Sequence, residues 1–195
     1  MVHVGISRPV WVGPTVFKWS ESQQLRLAAH KCAVMHLKHR RLNSQNDQIY
    51  SVNNCALPVV DSYKHVGITY DMHLSYTPHV QNITARASRR AKLILTCFTA
   101  RNPDVLMKAF IVYVRPMLEF SSTVWNMTKQ NICKVESLQT RFTKRLVGLS
   151  KISYNRRLEM LNIESLEERR LRSDLIMCYK ILRGFVNLDR FMFLC

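Results

Sequence analysis

The sequence predicts an α+β protein in which a small antiparallel sheet comes first and a helical bundle follows. Two observations support this fold class. Short apolar runs bounded by turn residues fill the chain as far as about Tyr70, a pattern typical of short strands. After Pro78, apolar residues recur every three or four positions, which is the period of an amphipathic helix. We therefore expect two domains, at residues 1–78 and 79–195.

The sheet is predicted over residues from about Leu25 to Tyr70, where runs such as CAVMHL and ALPVV are separated by turn residues. Asn53 and Asn54 lie between two of these runs, and adjacent asparagines tolerate the positive φ angles of a tight hairpin turn. Pro58 is expected at an edge or a strand end, because its nitrogen cannot donate a hydrogen bond to a strand ladder.

Helix starts are visible in the second part of the chain. Asn102 before Pro103 is a start signal, since proline at the first helical position loses only an amide that would be unbonded anyway. Thr128 is placed to cap the next long helix. Ser165 and Glu168 form the S-x-x-E pattern of a capping box, which predicts that the last helix begins after Ser165.

The segment KVESLQTRFTKRLVGL, residues 134–149, combines an apolar stripe with a cationic face. The stripe consists of Val135, Leu138, Phe142, Leu146 and Leu149. The basic residues on the remaining surface are Lys134, Arg141, Lys144 and Arg145, and the only acid of the segment is Glu136. This pattern predicts a helix that buries one side and presents the other to an anionic partner.

Two further basic clusters occur on predicted helices. The first lies on the helix after Pro78 and consists of Arg86, Arg89 and Arg90; the second, near the C-terminus, consists of Arg169, Arg170 and Arg172. A solvated face is the ordinary role of such runs, but a solubilising surface interleaves charges of both signs. No acid occurs between Arg86 and Arg101, so we favour binding of a phosphate backbone.

The composition points to the same class of partner. The chain has 29 Lys and Arg residues against 13 Asp and Glu, a formal net charge of +16. A nucleic acid is the first candidate partner and an anionic membrane surface the second, because both present phosphates. Tyr76, Tyr154 and Trp125 could stack on bases, although core packing is the commoner role of such aromatic residues.

No membrane span is predicted, and we expect no membrane partner. The most apolar segment, VLMKAFIVYV, is interrupted by Lys108 and falls far short of the roughly 20 apolar residues that a span needs. The six cysteines lie far apart, without a C-x-x-C pair. They indicate reduced thiols and an intracellular protein, and leave open whether it is nuclear or cytoplasmic.

Catalytic and metal-binding motifs are not found in the sequence. It contains no phosphate-binding loop, nucleophile elbow or H-E-x-x-H pattern, and no two aspartates are adjacent. His30, Cys32, His36 and His39 cluster within ten residues and could suggest zinc. On a strand, however, His39 would face away from the other three. We therefore expect no catalytic residue, no metal site and no bound cofactor.

The order of motifs resembles a known family. VRPMLEFSSTVWN and LEERRLRSDLIMCYKIL, together with KCAVMHL and YKHVGITYDMHLSYTPHV, look like the C-terminal part of the reverse transcriptase of LINE-type, Jockey-like non-LTR retrotransposons. The resemblance covers roughly Phe17 to Phe193. It implies the end of a polymerase palm in residues 1–78, with a primer-grip-like hairpin, and a helical thumb in residues 79–195.

The resemblance also implies roles for particular residues. Lys31 would match a lysine near the end of the palm, close to the incoming nucleotide. The segment HVGI would match the primer grip, with His65 in place of the usual leucine, followed by Val66, Gly67 and Ile68. The nucleic-acid-binding residues of the thumb would be Arg86, Arg89, Arg90, Lys134, Arg141, Lys144 and Arg145.

The Y-A-D-D-like turn of those enzymes, which binds two magnesium ions, has no counterpart here. We therefore expect a truncated, catalytically incomplete fragment whose residual activity is sequence-tolerant binding of template–primer nucleic acid, with magnesium bound only in a complete enzyme. Two alternatives stay open. The chain is a piece of an intact reverse transcriptase whose palm is encoded upstream, or it is a helical protein-interaction module reused by the host, with partners that the sequence does not name.

Overall fold

The computed structural model describes residues 13–25, 28–37, 49–52, 55–99, 101–125 and 127–187. Strands and helices are both present, and helices predominate, which confirms the α+β class. The chain divides into two compact units, Met1–Pro78 and His79–Cys195. The assignment of these units to a palm and a thumb stays a prediction.

The first unit contains short elements. They are helix α1 (Gly13–Ser22), a single 3-10 turn (Ala29–Lys31) and strands β1 (Ser51–Val52), β2 (Cys55–Ala56), β3 (Ser62–His65) and β4 (Ile68–Asp71). Strands β1 and β2 pair antiparallel, with Ser51 opposite Ala56 and Val52 opposite Cys55. Strands β3 and β4 form a second antiparallel pair, from Ser62 opposite Asp71 to His65 opposite Ile68.

The prediction of one sheet over residues 25–70 is wrong in its extent. The described strands form two separate two-stranded sheets. Val34 joins Val59 only through a single parallel bridge, in which the Val34 amide donates to the Pro58 carbonyl at 2.9 Å. Pro58 lies outside both ladders and, having no amide hydrogen, cannot extend this bridge. The predicted turn at Asn53 and Asn54 lies outside the described residues.

A tight turn joins β3 to β4 at Val66 and Gly67. Both residues have positive φ angles, +47° and +86°, as a two-residue hairpin turn of the primed type requires. Glycine adopts this conformation freely, whereas a β-branched valine is strained there. The Val66 side chain is 71% exposed, while Ile68 is buried. The turn therefore presents an apolar side chain to solvent at the tip of the hairpin.

The second unit is helical. Its helices are α2 (Thr77–Cys97, which begins at the end of the first unit), α3 (Pro103–Tyr113), α4 (Arg115–Glu119), α5 (Lys129–Lys144), α6 (Tyr154–Leu161) and α7 (Leu166–Leu182). The predicted helix starts are confirmed. The side chains of Asn102 and Thr128 accept backbone hydrogen bonds from the first turns of α3 and α5. Ser165 and Glu168 form a complete capping box at α7.

The apolar stripe of residues 134–149 is buried as predicted. Its members Val135, Leu138, Phe142, Leu146 and Leu149 are each at most 5% exposed. Helix α5 ends at Lys144, so the last two members lie in the turns that follow it. The Phe142 ring packs against Phe110 of α3, with 4.5 Å between ring centroids. The stripe therefore packs α5 against the core of its unit.

A polar network connects α5 to α6 and α7. The carboxylate of Glu136 accepts hydrogen bonds from the amides of Leu166, at 3.3 Å, and Glu167, at 3.1 Å. These are amides of the first turn of α7, which have no partner within the helix. The Tyr154 hydroxyl of α6 also donates to this carboxylate. Glu136 thus satisfies the free end of one helix and binds a second.

Buried side chains complete this network. Gln139, fully buried on α5, donates to the Tyr154 hydroxyl at 3.1 Å and to the Glu164 carbonyl at 2.9 Å. Arg157 of α6 is also buried and donates to the Thr140 carbonyl at 3.1 Å. Burial and the hydrogen bond to Glu136 together raise the pKa of the Tyr154 phenol above its ordinary value of 10.0. Tyr154 is therefore a neutral donor throughout the physiological range.

Replacing Glu136 with Gln should destabilise the helical unit by about 2 kcal/mol, because one of the two oxygens that accept from the α7 amides becomes an NH2 donor and the side chain loses its charge for the helix dipole. Urea unfolding followed by far-UV circular dichroism measures this loss. Glu159→Gln is the control, since the Glu159 carboxylate is exposed and, among the described residues, pairs only with Arg156 on its own helix. Equal stability losses in the two variants would contradict the role given to Glu136.

Candidate nucleic-acid interface

The charged side chains on the exposed side of α2 are all basic. This side carries Arg86, Arg89, Arg90 and Lys92, all exposed, and α2 contains no Asp or Glu. The opposite side buries Val80, Ile83, Ala87, Ala91 and Ile94 in the core, so packing fixes which way the basic side points. Lys92, which sequence reasoning missed, follows Arg89 by three residues and was detectable from that helical spacing.

Arg90 differs from the other cations of α2 because it has a fixed partner. One of its guanidinium nitrogens donates to the carbonyl of Tyr113, at the end of α3, at 3.2 Å. This contact connects α2 to α3 and uses one of the donors of Arg90. Within the part of the chain that the structure describes, Arg86 and Arg89 form no ion pair or hydrogen bond through their side chains. Their guanidinium groups are therefore free to meet an anionic ligand.

Helix α5 and its C-terminal end carry the second cationic face. Arg141, Lys144 and Arg145 are exposed and Lys134 is half-buried. The Nε of Arg141 donates to the Ser137 carbonyl of the same helix at 3.2 Å, which leaves the terminal nitrogens of its fork unengaged. Glu136, the only acid of the segment, points instead to the first turn of α7. The cations of this face are therefore not neutralised by their own helix.

The third cluster is not a free basic face, and its prediction as one is wrong. Arg169 makes a forked pair with Glu119, at 2.5 and 3.2 Å. Arg172 pairs with Glu164. These acids lie on or next to other helices, so the arginines join parts of the fold. A phosphate would therefore compete with a carboxylate for each of these two arginines.

Arg170, the third arginine of this cluster, is bound within the fold. Its guanidinium donates to the carbonyls of Ser122 and Trp125 and lies over the Trp125 ring, 4.1 Å from the centroid. The edge of the His79 ring meets the same indole at 5.1 Å. Trp125 is 1% exposed, so it cannot stack on a base. Burial lowers the pKa of Arg170, and the group remains charged in any ordinary buffer.

The first unit contains the remaining predicted site residues. The Tyr63 hydroxyl of β3 donates to the carbonyl of Lys31 at 3.0 Å, which holds the 3-10 turn against the β3–β4 hairpin. The Lys31 side chain is exposed. His65 and Ile68 close the hairpin turn, with Val66 and Gly67 at its tip. The structure thus brings Lys31 and the primer-grip-like segment into one small substructure.

A cleft of about 530 Å³ in the helical unit has the opposite electrostatic character. It is lined by residues of α5, α6 and the start of α7, among them Glu136, Glu159, Glu164, Glu167 and Glu168. A carboxylate-lined cleft repels phosphate, so it lies outside the candidate interface. Among the described residues, no group of three or more His, Cys, Asp or Glu side chains could hold a metal ion. His39 lies outside those residues.

Over the described ranges, no helix combines the length and the hydropathy needed to cross a bilayer.

Comparison with known proteins gives two informative similarities. The chain is 27% identical over 121 residues to an uncharacterized protein of Caenorhabditis elegans, covering 60% of this chain and 61% of that protein. It is 24% identical over 135 residues to the RNA-directed DNA polymerase from mobile element jockey of Drosophila melanogaster. The second alignment covers 67% of this chain but only 14% of the polymerase. This similarity supports an origin in a retrotransposon-related polymerase.

No family profile matches the chain, and no solved structure matches it.

Arg170→Gln should lower the free energy of unfolding by about 2 kcal/mol or more, because it removes charge-assisted bonds to two carbonyls and the contact with the Trp125 ring. Arg86→Gln, the matched loss of one exposed guanidinium, should stay within about 0.5 kcal/mol of the parent chain. Chemical denaturation of both variants provides the comparison. An Arg170 variant as stable as the Arg86 variant would mean that the third cluster is a surface feature after all.

Proposed function

We propose that this chain is a catalytically incomplete fragment of a non-LTR retrotransposon reverse transcriptase, and that its helical unit acts as a thumb which holds a template–primer duplex by its phosphate backbone. The similarity to the jockey polymerase supports the origin. The observation that carries the binding function is the pair of cationic faces on α2 and α5, whose basic side chains, all exposed except the half-buried Lys134, have no acidic partners among the described residues.

The distribution of acids strengthens this proposal. In the helical unit, the carboxylates of Glu119, Glu159 and Glu164 pair with arginines of the unit itself. The carboxylates of Glu136 and Glu168 accept hydrogen bonds at the start of α7. Eight of the 29 Lys and Arg residues lie on the two faces, whereas the one acid of α5, Glu136, turns to the start of α7. A uniformly positive face attracts phosphates through counterion release and does not need to read bases.

The two faces suit a duplex rather than a small anion. Each is a row of side chains along a helix, spaced by three or four residues, and such a row can follow successive phosphates of a backbone. The faces carry no exposed aromatic residue in the described structure, and Trp125 is buried. No described residue of the two faces can therefore stack on unpaired bases, and the proposed binding is tolerant of sequence.

In the first unit, considered by itself, we assign the β3–β4 hairpin and Lys31 to contact with a primer strand. The exposed tip at Val66 and Gly67 and the exposed Lys31 side chain support this assignment, since both are available to a ligand. The positive φ angle of Val66 is strained for a β-branched residue. Backbone strain of this kind persists mainly where a turn serves a function.

We expect no polymerisation by this chain alone. The sequence contains no pair of adjacent aspartates, and the described residues offer no carboxylate cluster that fits two magnesium ions. No step of nucleotide addition is therefore assigned to these residues. If a palm with such a pair is encoded upstream, the chain would serve as the substrate-holding part of that enzyme, and sequencing the locus upstream of Met1 distinguishes the two cases.

The binding proposal is tested with an RNA–DNA hybrid duplex of about 20 base pairs and fluorescence anisotropy at several salt concentrations. The variant Arg86→Gln/Arg89→Gln/Arg145→Gln should bind at least about tenfold more weakly at low salt. Its plot of log affinity against log salt should be shallower by roughly 2.7, because each phosphate contact contributes about 0.9 to that slope.

The control removes the same charge elsewhere. Lys108, Lys151 and Arg183 are exposed and lie outside the two faces, so Lys108→Gln/Lys151→Gln/Arg183→Gln should leave the salt slope nearly unchanged. Equal losses in both triple variants would show that only the total charge matters, and no detectable binding by the parent chain at low salt would reject the function itself.

A further inference from the structure

The second half of α7 and the turn after it expose a broad apolar surface. Six large side chains take part, and each is between 48% and 72% exposed: Leu171, Leu175, Ile176, Tyr179, Leu182 and Phe185. At about 100° per residue, the three leucines lie within about 40° of one another around the helix, and the exposed Cys178 thiol lies beside them. These six residues and Cys178 form the α7 apolar surface.

The core of the helical unit leaves this surface uncovered. Leu166 is the only buried residue among the described side chains of α7. The contacts that fix the helix involve its first turns, where Glu136 accepts from the amide of Glu167 and Arg170 lies over the Trp125 ring. A continuous apolar patch of this kind differs from the singly exposed apolar residues that are normal on a protein surface, so we expect an occupant.

The chain folds back at the end of α7. Gly184 has a φ of +71°, and its amide donates to the Ile181 carbonyl at 3.1 Å. The amide of Phe185 donates to the Lys180 carbonyl at 2.9 Å. This pair of bonds is the Schellman pattern, and it brings the Phe185 ring to Tyr179, with 6.3 Å between ring centroids. The chain that leaves the helix therefore starts on the α7 apolar surface.

The segment that follows has the composition to cover this surface. Residues 188–195, LDRFMFLC, lie outside the described residues, and their sequence contains the large apolar residues Leu188, Phe191, Met192, Phe193 and Leu194. At 3.3 Å per residue, a segment of this length spans up to about 26 Å. The helix from Tyr179 back to Leu171 is only about 12 Å long, at 1.5 Å per residue. The segment is therefore long enough to cover the surface from end to end.

We infer that residues 188–195 dock on the α7 apolar surface of their own chain. Only Val186 and Asn187 separate the segment from Phe185, so its effective concentration at the surface is on the order of millimolar, far above that of a separate partner. A second copy of the chain lacks this advantage and would bring a further +16 charges to the contact. The tether therefore selects the chain's own segment as the occupant.

The charges near the surface do not favour a different occupant. Asp174 lies at one edge and interacts with Arg170 of the same helix. Lys180 lies on the opposite side of the helix from Leu171, at about 100° per residue. The contact is accordingly apolar, as the sequence of the segment is.

This inference does not rest on the proposed nucleic-acid binding, because it concerns a different surface. The cationic faces lie on α2 and α5, whereas the apolar surface lies on α7. The two proposals can accordingly fail separately.

The test measures how fast the Cys178 thiol reacts with N-ethylmaleimide in the reduced full chain, with each cysteine followed by mass spectrometry. If the segment covers the surface, Phe191→Asn/Phe193→Asn should raise the Cys178 labelling rate by about tenfold or more, because a covered group reacts only after local opening. Leu175→Gln/Leu182→Gln, which changes the other side of the contact, should do the same. Cys133, an exposed thiol on α5, should react at the parent rate in both variants.

A control variant tests the surface itself. Leu93→Gln/Val112→Gln changes two apolar residues that are exposed to a similar degree on α2 and α3, and it should leave the Cys178 rate unchanged. The Arg86→Gln/Arg89→Gln/Arg145→Gln chain should also keep the parent rate, whether or not it binds a duplex.

Three results would overturn the inference. The first is a Cys178 rate in the parent chain as high as in the segment variant and the α7 variant, since the surface would then be open. The second is an equal rise in the Leu93→Gln/Val112→Gln chain, because the protection would then not depend on the α7 surface. The third is a dimer of the parent chain, seen by light scattering, that the α7 variant abolishes, because the occupant would then be a second copy.

Discussion

The carboxylate of Glu136 is the contact on which the helical unit depends. It is the only acid in a strongly basic helix, and it lies at the first turn of α7, where two amides have no helical partner. The Tyr154 hydroxyl binds the same carboxylate, so one side chain fixes α6 and α7 against α5. Because these bonds are partly buried and charge-assisted, each contributes more than an exposed pair would.

This arrangement divides the charges of the chain into two classes. Glu119 and Glu164 pair with Arg169 and Arg172 of the same unit. Among the described residues, the cations of α2 and of the outer side of α5 have no acidic partner. The fold therefore uses acidic side chains to join its helices and leaves basic side chains exposed on its surface. The proposal of duplex binding rests on this combination.

Local signals predicted much of this fold. Capping residues and the stripe of Val135, Leu138 and Phe142 act within a few residues, so the helix starts and the buried side of α5 followed from sequence. Long-range pairings did not. Arg169 looked like a free cation because its partner, Glu119, lies fifty residues away in the chain. The single predicted sheet failed for a related reason: which strands pair depends on distant contacts, and Pro58 stops the bridge at Val34 from growing.

Hydrogen exchange at the start of α7 tests the central claim most directly. The first amides of a helix ordinarily exchange fast, because no carbonyl lies four residues before them in the helix. If Glu136 closes this end, the amides of Leu166 and Glu167 should exchange slowly in the parent chain and lose that protection in Glu136→Gln, while amides in the middle of α2 keep theirs. Fast exchange of Leu166 and Glu167 in the parent chain would contradict the account.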